Sequence, residues 1–139
     1  MIITKGCRLE DRDRLHKINV SCYSGIQCPP YETFMDMLTR EVWVAREGEL
    51  IIGFAICNHS YLWSLAVDPI YQGRGIGGNL LREVIKYYTL AESSEISLHV
   101  HPDNPVQKLY FDYGFRVEAI ARNWYKAEGH GLYMRRALP

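Results

Sequence analysis

A cluster of glycines between an apolar strand pattern and an amphipathic helix pattern constrains this fold more than any other feature. The strand pattern is Tyr61–Val67, four of the six residues 73–78 are glycine, and the helical pattern covers Gly75–Leu90. Glycine lets the backbone turn sharply and approach a ligand closely. The first turn of a helix adds unpaired N–H groups and the positive end of the helix dipole. The segment therefore predicts an anion site that suits a phosphate or pyrophosphate.

The glycines fit the two common nucleotide-binding motifs poorly. Gly73, Gly75 and Gly78 match the dinucleotide pattern Gly-x-Gly-x-x-Gly, which needs its first glycine at the strand end and an acidic residue after the next strand. Five residues separate this strand from Gly73, and the next strand ends in His101-Pro102, so neither condition holds. No Gly-Lys-Ser/Thr follows, which excludes a Walker loop. The alternative interpretation, a glycine-rich turn that only joins the strand to the helix, stays open.

The hydrophobic periodicity along the chain predicts one α/β domain over residues 1–139, a usual length for a single domain. The three central strands are expected to form an antiparallel meander. In order, the predicted elements are a strand at Ile2–Arg8, a helix at Leu9–Tyr23, a short helix with Phe34, Met37 and Leu38, three strands within Glu41–Val67, a helix at Gly75–Leu90, a strand at Glu95–His101, a helix at Pro105–Tyr113, and a hairpin of Arg116–Tyr125 with Leu132–Ala137.

The charge balance and the cysteines exclude several classes of function. Sixteen Lys plus Arg balance sixteen Asp plus Glu, so no strong field is expected to attract nucleic acid or an anionic membrane. No stretch approaches the ~18 apolar residues that a membrane span needs, and the N-terminus lacks a signal-peptide pattern. The four cysteines form no Cys-x-x-Cys pair, which disfavours a zinc site and a disulfide framework. We therefore expect a soluble cytoplasmic protein.

Two motifs resemble those of the GCN5-related N-acetyltransferase (GNAT) family. Residues 67–77 read Val-Asp-Pro-Ile-Tyr-Gln-Gly-Arg-Gly-Ile-Gly and are similar to that family's acyl-CoA motif, Gln/Arg-x-x-Gly-x-Gly/Ala. Residues 104–115, with Leu109-Tyr110 and Gly114-Phe115, are similar to its second motif, Asn-x-x-Ala-x-x-Leu-Tyr-x-x-x-Gly-Phe, although Gln107 or Lys108 replaces the alanine. The resemblance covers about half of the chain.

The resemblance implies a fold and a cosubstrate. The fold is a central mixed, mostly antiparallel sheet of six or seven strands, flanked by about four helices and splayed between strands 4 and 5. Acetyl-CoA would enter the splay, with its pantetheine arm along residues 65–67 and its pyrophosphate on the amides of residues 73–78. The cofactor-binding residues so implied are Leu65, Ala66, Val67, Gln72, Gly73, Arg74, Gly75, Ile76, Gly77, Gly78, Asn104 and Tyr110.

Acetyl transfer to an amine needs a base and an acid for the departing thiolate. The resemblance places the Tyr110 hydroxyl beside the sulfur, as the general acid. His99 aligns with the base of Nα-acetyltransferases, and the ordinary imidazole pKa of ~6.5 suits a base near neutral pH. His99 and Tyr61 would together relay the amine proton. For both Tyr110 and His99, the alternative of a purely structural role in packing stays open. His99 and His101 share a strand face but lack an evident third ligand, so we expect no metal site.

The acceptor is expected to be an α-amine. Its pKa of ~7.7–8.0, against ~10.4 for lysine, lets a histidine suffice as base. Residues 122–126 resemble the peptide-groove loop of Nα-acetyltransferases, with Trp124 and Tyr125 as one wall and Pro29 and Tyr31 opposite. We expect an enzyme similar to the ribosomal-protein-alanine type that acts on protein N-termini. Alternatives are transfer to a polyamine, amino acid or aminoglycoside, and a non-catalytic acyl-CoA-binding module. Both a monomer and a homodimer stay open.

Overall fold

A computed structural model describes residues 1–139 and contains one mixed seven-stranded sheet. The strand order is β1-β2-β3-β4-β5-β7-β6, and only β4 and β5 are parallel. This confirms the expected fold. The strands are β1 Ile2–Lys5, β2 Glu41–Glu47, β3 Leu50–Asn58, β4 Tyr61–Val67, β5 Glu95–Val100, β6 Arg116–Ala121 and β7 Gly131–Ala137; the helices are α1 Arg12–Cys22, α2 Tyr31–Met37, α3 Ile76–Leu90 and α4 Gln107–Asp112.

Tight turns build the central meander of β2, β3 and β4. Gly48 takes a positive φ of 60° between the first two strands. His59 and Ser60, at φ 49° and 62°, join the next two, and two successive left-handed residues suit the right-handed twist of a hairpin. The register runs from Asn58 opposite Tyr61 along the whole of β4. The meander therefore brings β4 to the middle of the sheet.

Two apolar clusters cover the two faces of the sheet, because side chains alternate along each strand. On β2, Trp43 and Ala45 belong to the cluster under α3, whereas Val42 and Val44 belong to the cluster under α1 and α2. β5 buries its alternate residues under α3 and turns His99 to the other side. No helix is both long and apolar enough to cross a bilayer.

Several predicted boundaries were wrong, and backbone geometry explains two of them. β1 ends at Lys5, because Gly6 has a φ of 123°. β6 ends at Ala121 rather than Tyr125, because Asn123 has a φ of 54° and turns the chain. α1 begins at Arg12, after a turn of 3-10 helix, and α4 covers Gln107–Asp112 only. Residues 122–126 therefore form a turn beside the sheet instead of a strand.

Candidate functional site

The strands β4 and β5 separate soon after they begin. Their only paired residues are Tyr61 with Ser97 and Leu62 with Leu98. Beyond Leu62, the edge of β4 that faces β5 has no ladder partner. The splay implied between strands 4 and 5 is therefore present, and it opens a gap in the sheet.

Side chains donate hydrogen bonds to the backbone carbonyl groups along the open edge of β4. The Tyr23 hydroxyl donates to the Leu65 carbonyl at 2.7 Å. The Cys22 thiol and the Gln72 amide both donate to the Val67 carbonyl, at 3.2 and 3.0 Å. In an extended strand the N–H of a residue lies on the same side as its C=O. The N–H groups of Leu65 and Val67 therefore also point into the gap.

A cavity of about 630 Å³, here called the glycine cavity, lies between this open edge and the glycine loop. Tyr23, Tyr71 and Leu109 contribute to its walls. Ten of the twelve residues expected to hold the cosubstrate line it, namely Leu65, Ala66, Val67, Gln72, Gly73, Gly75, Ile76, Gly77, Gly78 and Asn104.

The glycine loop presents unused backbone donors to this cavity. Gly73 and Gly75 both have a φ of 81°, a left-handed conformation that favours glycine. None of the amides of residues 73–78 donates a hydrogen bond within the protein. They lie at or just before the start of the 15-residue helix α3, where the helix dipole is positive. The loop can therefore bind an anion such as a phosphate.

Close packing of α3 against α4 sets the floor of the glycine cavity. A Cβ atom at Gly78 would lie 2.6 Å from the Tyr113 hydroxyl oxygen, and one at Gly77 would lie 3.3 Å from the Leu109 side chain. A larger residue at Gly78 would displace the Tyr113 side chain. Arg74, in contrast, does not line the cavity, because its guanidinium lies over the Tyr71 ring at 5.0 Å from the centroid.

A second cavity of about 390 Å³ adjoins the first and contains the catalytic candidates; it is here called the histidine cavity. His99, Tyr61 and Tyr110 line it. Four residues line both cavities, namely Tyr23, Leu65, Asn104 and Val106. A ligand that extends from the glycine loop could therefore reach the histidine cavity past these four residues.

His99 and Tyr61 form a hydrogen-bonded pair. The Tyr61 hydroxyl oxygen lies 2.6 Å from His99 Nδ1, and Nε2 makes no hydrogen bond. Burial lowers the pKa of His99, so the ring is neutral at pH 7. Burial also raises the pKa of Tyr61 to about 12, so the phenol keeps its proton. When Nδ1 carries the ring proton and donates it to the Tyr61 oxygen, Nε2 has a free lone pair and can act as a base.

Tyr110 is a buried residue whose hydroxyl has no hydrogen-bond partner within the protein. The residue is only 4% exposed, and its ring packs against Phe115 at 5.7 Å between centroids. Its hydroxyl makes no hydrogen bond, although the residue borders the histidine cavity. Burial raises the pKa of Tyr110 far above its usual value, so the group stays protonated. No side-chain oxygen in the structure is both fully buried and without a partner, so the Tyr110 hydroxyl is open to the cavity and can donate to a ligand atom.

Three of the four residues expected to form the walls of the acceptor site lie together. Pro29, Trp124 and Tyr125 line the histidine cavity. Tyr31 does not line it, because its hydroxyl donates to Asp13 at 3.0 Å and its ring meets the edge of His16. Tyr31 therefore lies away from the other predicted acceptor residues.

A contact between two loops lies beside the histidine cavity, which Ile26 and His101 line. The Glu128 carboxylate, from the β6–β7 loop, accepts a hydrogen bond from the Ile26 amide at 2.7 Å. The same carboxylate fills the space where a side chain at Gly25 would begin, and Gly25 has a φ of 59°. The Glu128 carbonyl oxygen also lies 2.7 Å from His101 Nε2. We call this contact the loop clasp.

The sequence analysis missed three polar residues of the site. Tyr23 binds the open edge of β4, and Ser64 donates to Asn19 at 3.1 Å beside the histidine cavity. Asn19 is 1% exposed, so it is a polar residue enclosed in an otherwise apolar helix face. An asparagine on the apolar stripe of a predicted helix was the available signal for that residue. Nothing in the sequence pointed to Tyr23.

Side chains that could ligate a metal are engaged elsewhere. His101 Nδ1 accepts a hydrogen bond from the Asp103 amide, and Nε2 contacts the Glu128 carbonyl. No group of three or more His, Cys, Asp or Glu side chains is arranged to hold a metal ion. The four cysteines are free thiols.

Comparison with known proteins gives the same family as the two motifs. Residues 39–117 match the family model described as an acetyltransferase (GNAT) domain. The chain is 34% identical over 101 residues to the N-alpha-acetyltransferase RimI of Mycobacterium tuberculosis, across 66% of this chain and 62% of that protein. It is 37% identical over 84 residues to the ribosomal protein bS18-alanine N-acetyltransferase of Haemophilus ducreyi, across 57% and 58%. The matches span about three fifths of these relatives' lengths.

Solved structures share the fold at low sequence identity. The ribosomal-protein-S18-alanine N-acetyltransferase of Escherichia coli superimposes with a TM-score of 0.86 at 22% identity, over 99% of this chain and 94% of that one. NAA60 of Arabidopsis thaliana, solved with a bisubstrate analogue, gives 0.84 at 20% identity, over 99% and 98%. With the splayed strands, the glycine loop and the match over more than half of its residues, this chain belongs to the GNAT acetyltransferase family.

Proposed function

We propose that this protein is an acetyl-CoA-dependent N-acetyltransferase whose acceptor is the α-amine of a protein N-terminus. The observation that carries the proposal is the junction of the two cavities. The free amides of residues 73–78 open into one, while His99 and the unpartnered hydroxyl of Tyr110 lie in the other. The names of the relatives from Mycobacterium tuberculosis and Haemophilus ducreyi support the choice of acceptor.

The glycine cavity fits coenzyme A in shape and in chemistry. A Cβ atom at Gly73 or Gly75 would meet nothing within 4 Å, so the loop leaves open space beside its free amides. Those amides suit a pyrophosphate. The N–H groups of Leu65 and Val67 suit the carbonyl groups of an extended pantetheine arm. The side-chain Nδ2 of Asn104 makes no hydrogen bond, whereas its Oδ1 accepts one from the Val106 amide at 3.0 Å.

Acetyl transfer requires two proton movements, which we assign to His99 and Tyr110. The neutral amine nitrogen bonds to the carbonyl carbon of the thioester, and the carbon–sulfur bond breaks. His99 accepts the proton that the amine loses, with Tyr61 holding its ring. As the carbon–sulfur bond breaks, the proton of Tyr110 passes to the sulfur, so coenzyme A leaves as the thiol, and the phenolate regains a proton from water.

A second acceptor class has its own support. The loop clasp joins Glu128 to Ile26, which lines the histidine cavity of about 390 Å³. If this contact between the two loops restricts the space beside the cavity, a small amine enters more readily than a long peptide. In the reducing cytoplasm, where we propose that the protein acts, peptides and small amines are both available, and the free thiols are stable there.

Turnover with a panel of acceptors tests the proposal. The protein is incubated with acetyl-CoA and either peptides with free N-termini, the same peptides with blocked N-termini, or small amines, and thiol release is measured. We expect release with the free peptides only. Release with small amines alone would replace the acceptor by that class. Binding of coenzyme A in a calorimeter without release from any acceptor would overturn the enzymatic proposal.

A further inference from the structure

Trp124 stacks flat on His99. The two ring centroids are 3.6 Å apart and the planes differ by only 6°. The indole is half exposed, so it covers one face of the imidazole and leaves its own outer face to the surroundings. The stack adds a second contact to the expected wall position of Trp124, which lines the histidine cavity. The stack places it directly on the proposed base.

Three local features fix the position of the indole. Asn123 takes a left-handed φ of 54°, and its amide donates to His130 Nδ1 at 2.8 Å, which holds the turn. A Cβ atom at Gly131 would lie 3.0 Å from the Cβ, Cγ and Cδ1 atoms of Trp124. The indole therefore packs directly over the start of β7, in a space that only glycine leaves.

The stack and the Tyr61 hydrogen bond together define the orientation of the imidazole. The stack restrains the plane of the ring. The hydroxyl of Tyr61, 2.6 Å from Nδ1, selects which edge of the ring faces β4. With both in place, Nε2 is the free nitrogen. Without the stack, the His99 side chain could rotate, and Nε2 would point in several directions. Each productive encounter with the amine would then require the ring to be ordered again, which costs side-chain entropy.

We propose that Trp124 is a positioning residue that acts through His99, by holding the imidazole plane so that Nε2 meets the acceptor amine. This inference rests on the proposed acetyl transfer, and it deepens that proposal by assigning a role within the same site. Trp124 itself exchanges no proton, since its indole N–H is a donor only. Its contribution is to keep the base in one geometry, where misplacement of about 1 Å can slow a reaction by about a hundredfold.

Apart from Trp124 and Tyr61, no side chain stacks on the His99 ring or hydrogen-bonds to it. The titratable side chains that face it are Tyr61 from β4, Tyr133 from β7, and His101 and Tyr125 on the same cavity wall. No carboxylate or cationic side chain forms an ion pair with it, and burial is the one cause of its lowered pKa. A change in its ionisation after substitution of Trp124 would therefore report the stack.

A double-mutant cycle separates the positioning role from a wall role. We compare the kcat of Trp124→Ala with wild type, and the kcat of His99→Ala/Trp124→Ala with His99→Ala, at pH 8, where much of an α-amine is neutral. If Trp124 acts through His99, the substitution lowers kcat about tenfold in the wild-type background and leaves it unchanged without His99. Trp124→Phe, which keeps a flat ring, restores most of kcat. Equal loss in both backgrounds, or a change confined to the acceptor KM, overturns the proposal.

Indole fluorescence tests the stack without any substrate, so it stands if the proposed function fails. A protonated imidazole in contact with an indole quenches its emission. We expect emission to fall as the pH drops below 6.5, and this change to disappear in Trp124→Phe and in His99→Gln, which both keep Trp43 and Trp63. Gly131→Ala, which displaces the indole, should weaken the change. A pH-dependent change that survives in both variants, or none in wild type, overturns the stack in solution.

Discussion

Removing one oxygen atom from Tyr110 keeps its packing and removes the proposed acid. The ring contact with Phe115 remains in Tyr110→Phe, and no hydrogen bond within the protein is lost. We expect kcat to fall at least about a hundredfold, as for the loss of a general acid. The dissociation constant for coenzyme A and the melting temperature should stay near wild type. Steady-state kinetics and calorimetry measure both, and an unchanged kcat would reduce Tyr110 to a packing residue.

The lowered pKa of His99 predicts an acidic limb in the pH profile. Because burial places this pKa below 6.5, His99 gains a proton only below that pH, and the base is then lost. We expect kcat at saturating acceptor to fall as the pH drops below 6.5. In His99→Ala that limb should vanish and kcat should be low throughout. The pH dependence of kcat is measured. The pH dependence of kcat/KM would also reflect protonation of the free acceptor amine. A limb that persists in His99→Ala would assign it to another group.

At the scale of elements, we expect the loop clasp to influence how the acceptor enters. Glu128→Ala removes the acceptor of the Ile26 N–H bond and frees the two loops, whereas Glu128→Gln keeps an oxygen at that place. Because the clasp is exposed, its loss should lower the free energy of unfolding by only about 1 kcal/mol. We expect the KM for peptides to change in Glu128→Ala and to stay near wild type in Glu128→Gln.

Three measurements check the role of the clasp. Peptide KM and small-amine KM are compared in both variants, together with the KM for acetyl-CoA, which should not move, because Glu128 lies outside the glycine cavity. Gly25→Ala gives an independent disturbance, since its Cβ would meet the Glu128 carboxylate. Identical acceptor kinetics in all variants would show that the loops open freely in solution.

At the scale of the whole molecule, an ion pair ties α1 to the end of β4. Arg14 contacts Asp68 at 2.5 Å and also donates to the Ile51 carbonyl. A hydrogen bond from the Ile70 amide, with the Arg14 contact, lowers the pKa of Asp68 below 3.8. A carboxylate with a lowered folded pKa stabilises the fold above its unfolded pKa, and this stabilisation is lost as the pH falls through the folded pKa.

Asp68→Asn should therefore destabilise the protein at neutral pH. We expect the free energy of unfolding to fall by about 1–3 kcal/mol at pH 7, and the difference from wild type to shrink as the pH falls below 3.8. Asp36→Asn is a matched control, because Asp36 forms only an exposed pair with Arg40 at 3.8 Å. Urea unfolding from pH 3 to 7 measures all three proteins. A difference that does not change with pH would contradict an electrostatic origin.

The sequence by itself determined the elements and the family. Hydrophobic alternation placed the strands of the meander and α3, because side chains on a strand or helix repeat with the local backbone period. The glycines of residues 73–78 predicted an anion site before any fold was known, since their backbone freedom and the helix start are local properties. The two GNAT motifs then placed Tyr110 and Asn104 near the glycine loop, and the fold brings Asn104 into both cavities.

Only the tertiary structure decided which side chains meet. Tyr23 reaches Leu65 across 42 positions of sequence, Glu128 reaches Ile26 across 102, and Trp124, expected as an acceptor wall, also stacks on His99. Such contacts depend on how separate elements pack, and side-chain periodicity carries no information about partners in distant elements. Tyr31 illustrates the same limit, because its neighbour in space is Asp13 rather than the cavity. Local backbone preferences determine the helices and strands, and long-range packing determines which side chains come together at the site.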